Sequence, residues 1–330
     1  RRPILLLSLF GFSINYLLLA WAPSFFWLII GRIVAGVAGS SVSTAGAYIA
    51  DVSTEETRAK NYGMVGAAFG LGFIIGPAVG GLVASLGVRA PFYAAAALCL
   101  LNGLYGYFIL PESLSRENRR KFNWKRANPF GALKIFLSHP TVARLAIVYF
   151  LIYLGAQAVQ STWSYFTMYR FGWNEKLVGI SLAVVGLLVA IVQSVLVRVI
   201  NPKIGNEKSI YIGLSFYTVG LFSFAFASMG WMMFVFLIPY CLGGLAGPSL
   251  QSKLASLLPA NMQGELQGAL TSLMSLTAIL GPLIMNNLFA YFTRPDSTIH
   301  FPGIAFFLGS LAMLSSLIIS KLTFSRPNAR

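Results

Sequence analysis

Gly72-Phe-Ile-Ile-Gly76-Pro77-Ala-Val-Gly80-Gly81 is the stretch that decides the fold of this chain. It lies inside an apolar run over 62–86. A helix of that length, at about 1.5 Å per residue, crosses a hydrocarbon core of roughly 30 Å. Gly72, Gly76 and Gly80 recur every four residues and share one helix face, and Ala68 extends that face by a turn. Gly66 and Gly70 add small surface beside it. In lipid, helices associate by close packing of small residues, not by escape from water. The face therefore reads either as a packing seam alone or as a hinge or seal between parts that move. Pro77 withholds one backbone N–H and is expected to kink the helix.

Composition extends this reading to the whole chain. Of 330 residues, 57% are hydrophobic and only 10% charged, with mean hydropathy +0.74. A soluble domain carries roughly 25% charged residues, so the chain is an all-α polytopic membrane protein. The net charge of +15 could suggest nucleic acid. The basic residues instead cluster between apolar spans, as orientation in a membrane requires, with no basic-aromatic stripe for nucleic acid. Cys99 and Cys241 lie in apolar runs and read as small core residues. His139 and His300 fall in loops, so neither a metal site nor a cofactor is expected. Arg1-Arg2-Pro3 leads straight into a full-length span, with no signal peptide expected.

Ten spans are expected, at about 4–22, 25–50, 62–86, 91–110, 145–168, 177–200, 209–229, 232–257, 266–292 and 302–322. With both termini in the cytoplasm, inside loops gather Arg58, Lys60, the basic run from Arg116 to Arg144, Arg198, Lys203 and Lys208. Outside loops then hold only Arg89, Arg170, Lys176 and Arg294. The polar segment 112–143, with a short helical piece at 129–137, divides an N-terminal bundle, 1–111, from a C-terminal bundle, 144–330. It reads as a solvated basic linker, with contact to anionic lipid as the alternative.

An internal repeat supports the division. Gly63 stands thirteen residues before Gly76-Pro77, and Gly268 thirteen before Gly281-Pro282, an offset of 205 between the pairs. In that register the second half holds six spans and the first only four. The partners of the fifth and sixth spans fall before Arg1, so the chain is expected to be a fragment of a twelve-helix protein.

The pattern G-x-x-x-G-P-x-x-G-G resembles the antiporter motif on the fifth helix of proton-coupled drug exporters of the major facilitator superfamily. Further stretches resemble the tetracycline-efflux branch of that family. Arg1-Arg2-Pro3 is similar to the end of its loop motif. Ile4–Leu19 is similar to its third helix, and Gly31-Arg32-Ile-Val-Ala-Gly36 to the G-R-x-x-x-G of its fourth. Arg170-Phe-Gly-Trp-Asn174 is similar to its R-F-G-W-N loop, and Gln263-Gly-Glu-Leu-Gln267-Gly268 to the lead into its eleventh helix. The resemblance covers essentially the whole chain. It implies an antiporter in a bacterial inner membrane, a monomer that exchanges protons for amphiphilic compounds. Three positions depart from the branch: Asn15 and Tyr217 stand where it carries acidic residues, and Val189 where it carries a histidine. These departures put tetracycline–metal recognition and its proton coupling in question.

Polar groups inside spans are the substrate-site candidates: Asn15, Gln157, Gln160, Ser161, Trp163, Gln193 and Tyr217. Gln157 and Gln160 are three apart and share a helix face. The bland alternative for each is an interhelical hydrogen bond, worth about 0.6 kcal/mol. Arg32 is a charge well inside a span. It either snorkels or pairs with a carbonyl, or, as the resemblance implies, it tunes a proton path that it cannot itself carry, because arginine does not titrate. Asp51 and Arg58 belong either to a capped turn, with Ser53 as N-cap and Glu56 three residues on, or to an inner gate. Gly281 and Pro282 repeat the antiporter motif. No phosphate-binding G-x-x-x-x-G-K-[ST] loop or other enzyme signature is present. The expected function is secondary transport. A metabolite facilitator on the same fold and a transport-dead truncated chain are the alternatives.

Overall fold

The computed structural model describes residues 1–84, 86–114 and 139–325. The expected helical piece at 129–137 and most of the expected linker lie outside the described residues. Eight helical stretches among the described residues are long and apolar enough to cross a membrane. One of them, Lys176–Ala225, has 50 residues, about 75 Å of helix. Gly205, with φ 80°, breaks it in two.

In order, the helices are α1 (Arg2–Trp21), α2 (Phe25–Ala38), α3 (Ser40–Val52), α4 (Glu55–Ala84) and α5 (Ala90–Ile109). Then follow α6 (Pro140–Phe171), α7 (Glu175–Ile191), a π-turn at Val192–Leu196, and α8 (Val197–Ala225). Next come α9 (Gly230–Leu242), a 3₁₀ turn at Gly243–Leu245, and α10 (Ala246–Ser256). The chain ends with α11 (Gln263–Phe292) and α12 (Ile304–Phe324). Helix α1 packs on α2, α3 and α5, whereas α6 packs on α11 and α12, and α8 on α9, α10 and α12.

The tight core belongs to the second set of helices. Trp163, Phe166, Phe224 and Phe306 interlock, three pairs edge to face and Phe224–Phe306 tilted, with centroids 4.9–6.3 Å apart, a geometry that adds to the area aromatic rings bury. Backbones meet where glycine permits: a Cβ on Gly155 would lie 3.1 Å from the Gly309 carbonyl, and one on Gly220 2.6 Å from the Tyr240 nitrogen. The first set buries far less, and Ile33 and Val37 are 63% and 77% exposed. Outward apolar side chains are what a lipid environment requires.

Local chemistry sets the helix ends. Gly172 takes φ 66° and closes α6, its N–H donating to the Met168 carbonyl. Asn174 opens α7, its Oδ1 accepting the Leu177 N–H at 2.9 Å. Between them Trp173 tucks inward and stacks on Phe234 at 5.3 Å. At α4 the cap differs from expectation: Thr54 and Thr57 cap reciprocally at 3.3 and 3.1 Å. Ser53 does not serve as the cap, because its hydroxyl accepts from Asn61 Nδ2 at 2.8 Å.

Candidate transport site and inner closure

The two sets of helices meet along α4, which crosses α7, the π-turn, α8 and α10, while α3 crosses α11. The glycines that make this crossing are Gly63, Gly66 and Gly70. A Cβ on Gly63 would lie 2.6 Å from the Gln193 carbonyl, one on Gly66 2.6 Å from the Gln193 amide carbon, and one on Gly70 2.9 Å from the Gly186 carbonyl. Gly72, Gly76 and Gly80 lie on the other side of α4, since two residues turn a helix by about 200°. Among the described residues nothing comes within 4 Å of a Cβ built on any of these three. The surroundings of Pro77 and Gly81 lie outside the described residues. Gly281, which the 205-residue offset lays on Gly76, is filled: a Cβ there would lie 2.3 Å from Gln157 Cγ. Pro282 follows within α11 without interrupting it.

Closure concentrates at the end of the molecule that carries Arg1 and the C-terminal end of α12. Asp51, at the end of α3, binds Arg1 Nε at 3.0 Å and accepts from the Ser113 hydroxyl at 2.9 Å. The Arg1 guanidinium reaches across to α11, where a Cβ on Gly264 would lie 2.6 Å from its Nη1. Asp51 thus holds the residue that spans the gap. Arg58 is half-buried, and its Nε finds no hydrogen-bond partner among the described residues. Deeper in, the Gln267 Nε2 donates to the Tyr62 hydroxyl at 3.1 Å, and that hydroxyl donates to the Gly46 carbonyl at 3.1 Å. Ala50, Tyr62 and Ala255 pack around this chain. Ala59 packs with Val192, Val197 and Leu245 beside it.

Farther from that end the contacts among the described residues thin: α11 packs on α3 but makes no comparable contact with α2. Arg32 lies on α2, exposed, with no ion pair among the described residues.

The predicted site residues separate. Gln157 is 8% exposed against Gly281. Gln193 sits in the π-turn, a deformation frequent at functional positions. It is wedged between Gly66 and Gly244, and its Oε1 has no partner among the described residues. Tyr217 lies over Gly243 and meets Tyr240 at 5.3 Å. Gln160 is exposed although it shares a helix face with the buried Gln157. Asn15 is 2% exposed beneath Gly31, in contact with α2, and its Oδ1 has no hydrogen-bond partner among the described residues. Ser161 turns its hydroxyl back to the Gln157 carbonyl.

Trp163 does not line a cleft. It is 2% exposed in the aromatic core, with Nε1 donating to Ser181 at 2.9 Å. The hydroxyl that its indole needs comes from a neighbouring helix. Sequence reasoning also missed Tyr62, Gly46, Tyr149 and Gln251. Gln251 Nε2 donates to the Tyr149 hydroxyl at 3.2 Å, and Tyr149 packs on Tyr153 at 4.6 Å. The available signal was positional: Tyr62 and Gln267 stand at the repeat offset. Both cysteines are free, and the described residues hold no group of three His, Cys, Asp or Glu that could bind a metal.

A profile of the Major Facilitator Superfamily matches residues 1–282. The class C tetracycline resistance protein of Escherichia coli is 38% identical over 317 residues, 96% of this chain and 78% of that protein. The class G tetracycline resistance protein of Vibrio anguillarum is 37% identical over 287 residues, 86% of this chain and 72% of that one. The crystal structure of the human organic anion transporter MFSD10 (TETRAN) superposes with a TM-score of 0.85 at 24% identity, over 97% of this chain and 77% of that one, which shows a shared fold. With its membrane-spanning helices and its closure between two sets of them, the chain belongs to the major facilitator superfamily, as an integral membrane secondary transporter and not an enzyme.

Proposed function

We propose that the protein exports an amphiphilic, tetracycline-like compound from a bacterial cell in exchange for protons. Bundles 1–111 and 144–330, joined by the basic linker 112–143, rock about a site near the membrane midplane. The positive-inside distribution supports cytoplasmic termini, and the protein works as a monomer. The observation that carries the reading is the likeness to two tetracycline resistance proteins over most of the chain. With the termini inside, the Arg1–Asp51 and Tyr62–Gln267 contacts close the cytoplasmic end. The polar and aromatic groups beyond them, Gln157, Gln160, Gln193, Tyr217, Tyr149 and Tyr153, then form the outward-facing wall. Tyrosines offer an amphiphile a ring face and a hydroxyl together. Arg32 is the positive charge on that path. Gly72, Gly76 and Gly80 act as a hinge or seal, so Gly76→Leu removes transport while the protein still reaches the membrane.

A second reading, a facilitator or importer of a small metabolite, is favoured by Asn15. A neutral, buried amide stands where the branch has a carboxylate, and an amide carries no proton at physiological pH. A drug-susceptibility panel in cells expressing the full-length gene, run with and without an uncoupler, decides between them. Resistance that the uncoupler abolishes supports proton-driven export. Substrate flux that follows its own gradient and ignores the uncoupler supports the facilitator.

A further inference from the structure

The bond from Gln267 Nε2 to the Tyr62 hydroxyl joins residues 205 positions apart. That is also the offset that lays Gly63 on Gly268 and Gly76 on Gly281. Tyr62 and Gln267 are therefore the same position in the two halves. Where two copies are related by an approximate two-fold, a residue touches its own mate only beside the axis. The contact is buried, with Tyr62 3% and Gln267 4% exposed. It is also directional, running from amide N–H to hydroxyl to the Gly46 carbonyl. It fits only because residue 46 is glycine, since a Cβ there would lie 2.6 Å from Gln267 Oε1.

We propose that Tyr62 and Gln267 are positioning residues for the transport cycle, a polar latch on the pseudo-two-fold axis that sets how often the terminus-bearing end opens. Mates beside the axis belong one to each half, so any opening of that end must part them, whichever half moves. The two residues have diverged into a donor and an acceptor, so the hydroxyl both receives and passes on a hydrogen bond. The inference rests on the alternation of two bundles proposed above, but not on the identity of the substrate.

The test uses the full-length protein with Cys99→Ala and Cys241→Ala, and a reporter cysteine at Ala255→Cys, which is 1% exposed beside Tyr62. N-ethylmaleimide labelling is timed in inside-out vesicles. A net hydrogen bond corresponds to about a two- to tenfold change in an equilibrium, so Tyr62→Phe and Gln267→Leu should each speed labelling by that factor. Combining them should add little, because both remove one bond. Gly46→Ala should act in the same direction by displacing Gln267. Tyr169→Phe loses its hydroxyl contacts with His300 and Thr293 within the second bundle and should label at the parent rate. Parent-rate labelling of the folded Tyr62→Phe protein, or equal acceleration by Tyr169→Phe, overturns the latch. Gel filtration identifies folded protein, and should Gln267→Leu misfold, Tyr62→Phe and Gly46→Ala decide the matter. A parent that exports no compound in the susceptibility panel refutes the export reading and leaves the labelling result standing.

Discussion

At Gly281 one methyl group is enough to disturb the site. A Cβ there would lie 2.3 Å from Gln157 Cγ, so the glutamine or the helix must move, and overpacking of this kind costs about 1–3 kcal/mol. Gly281→Ala should lower transport at least tenfold. Adding Gln157→Ala should recover thermal stability in detergent without recovering transport, provided Gln157 touches the substrate. Asn15 poses the converse case. Its unpaired, buried Oδ1 carries a desolvation penalty of about 1–3 kcal/mol. Asn15→Leu should therefore leave the melting temperature unchanged or raise it. A simultaneous loss of transport would mark Asn15 as a ligand for a substrate donor, whereas unaltered transport would make it structural. Trp163 belongs to stability alone: Trp163→Phe should lower the melting temperature by several degrees and leave apparent substrate affinity unchanged.

Among elements, the Gly172–Asn174 connection shows how a short motif acts through geometry. Gly172 holds a left-handed conformation that costs an alanine about 1–2 kcal/mol. Asn174 supplies a cap worth about 1 kcal/mol. Gly172→Ala and Asn174→Ala should each destabilise by that order, measured by thermal unfolding in detergent, and leave the substrate spectrum untouched. Helix α4 carries two small faces, and among the described residues only the one through Gly63, Gly66 and Gly70 meets the other set of helices. Periodicity made 72, 76 and 80 legible as a seam but could not say which seam faces which partner. Both faces are equally small and both lie on one apolar helix. The register of Gly66 against Gln193 depends on the π-turn at Val192–Leu196, which has no signature in composition.

For the whole molecule, closure at one end and sparse contact at the other predict a measurable asymmetry. Cysteines at Ala50 and Ala255, packed in one cluster with Tyr62, should cross-link readily in the substrate-free protein. A pair placed on α2 and α11 near the opposite end should not. Equal cross-linking of both pairs would contradict a closure confined to the terminus-bearing end. Asp51→Asn removes the charge that holds Arg1 and should weaken the first cross-link.

The amino-acid sequence alone determined the membrane class, most span positions, the repeat and the family likeness. Each of these is written in hydrophobic length, charge placement or spacing, which survive without knowing any contact. Tertiary structure decided which polar residues meet. It buried Trp163 behind Ser181, left Arg32 exposed on α2, and joined Tyr62 to Gln267. A hydrogen bond between helices far apart in the chain depends on a few ångströms of helix rotation and approach, and no local periodicity encodes those.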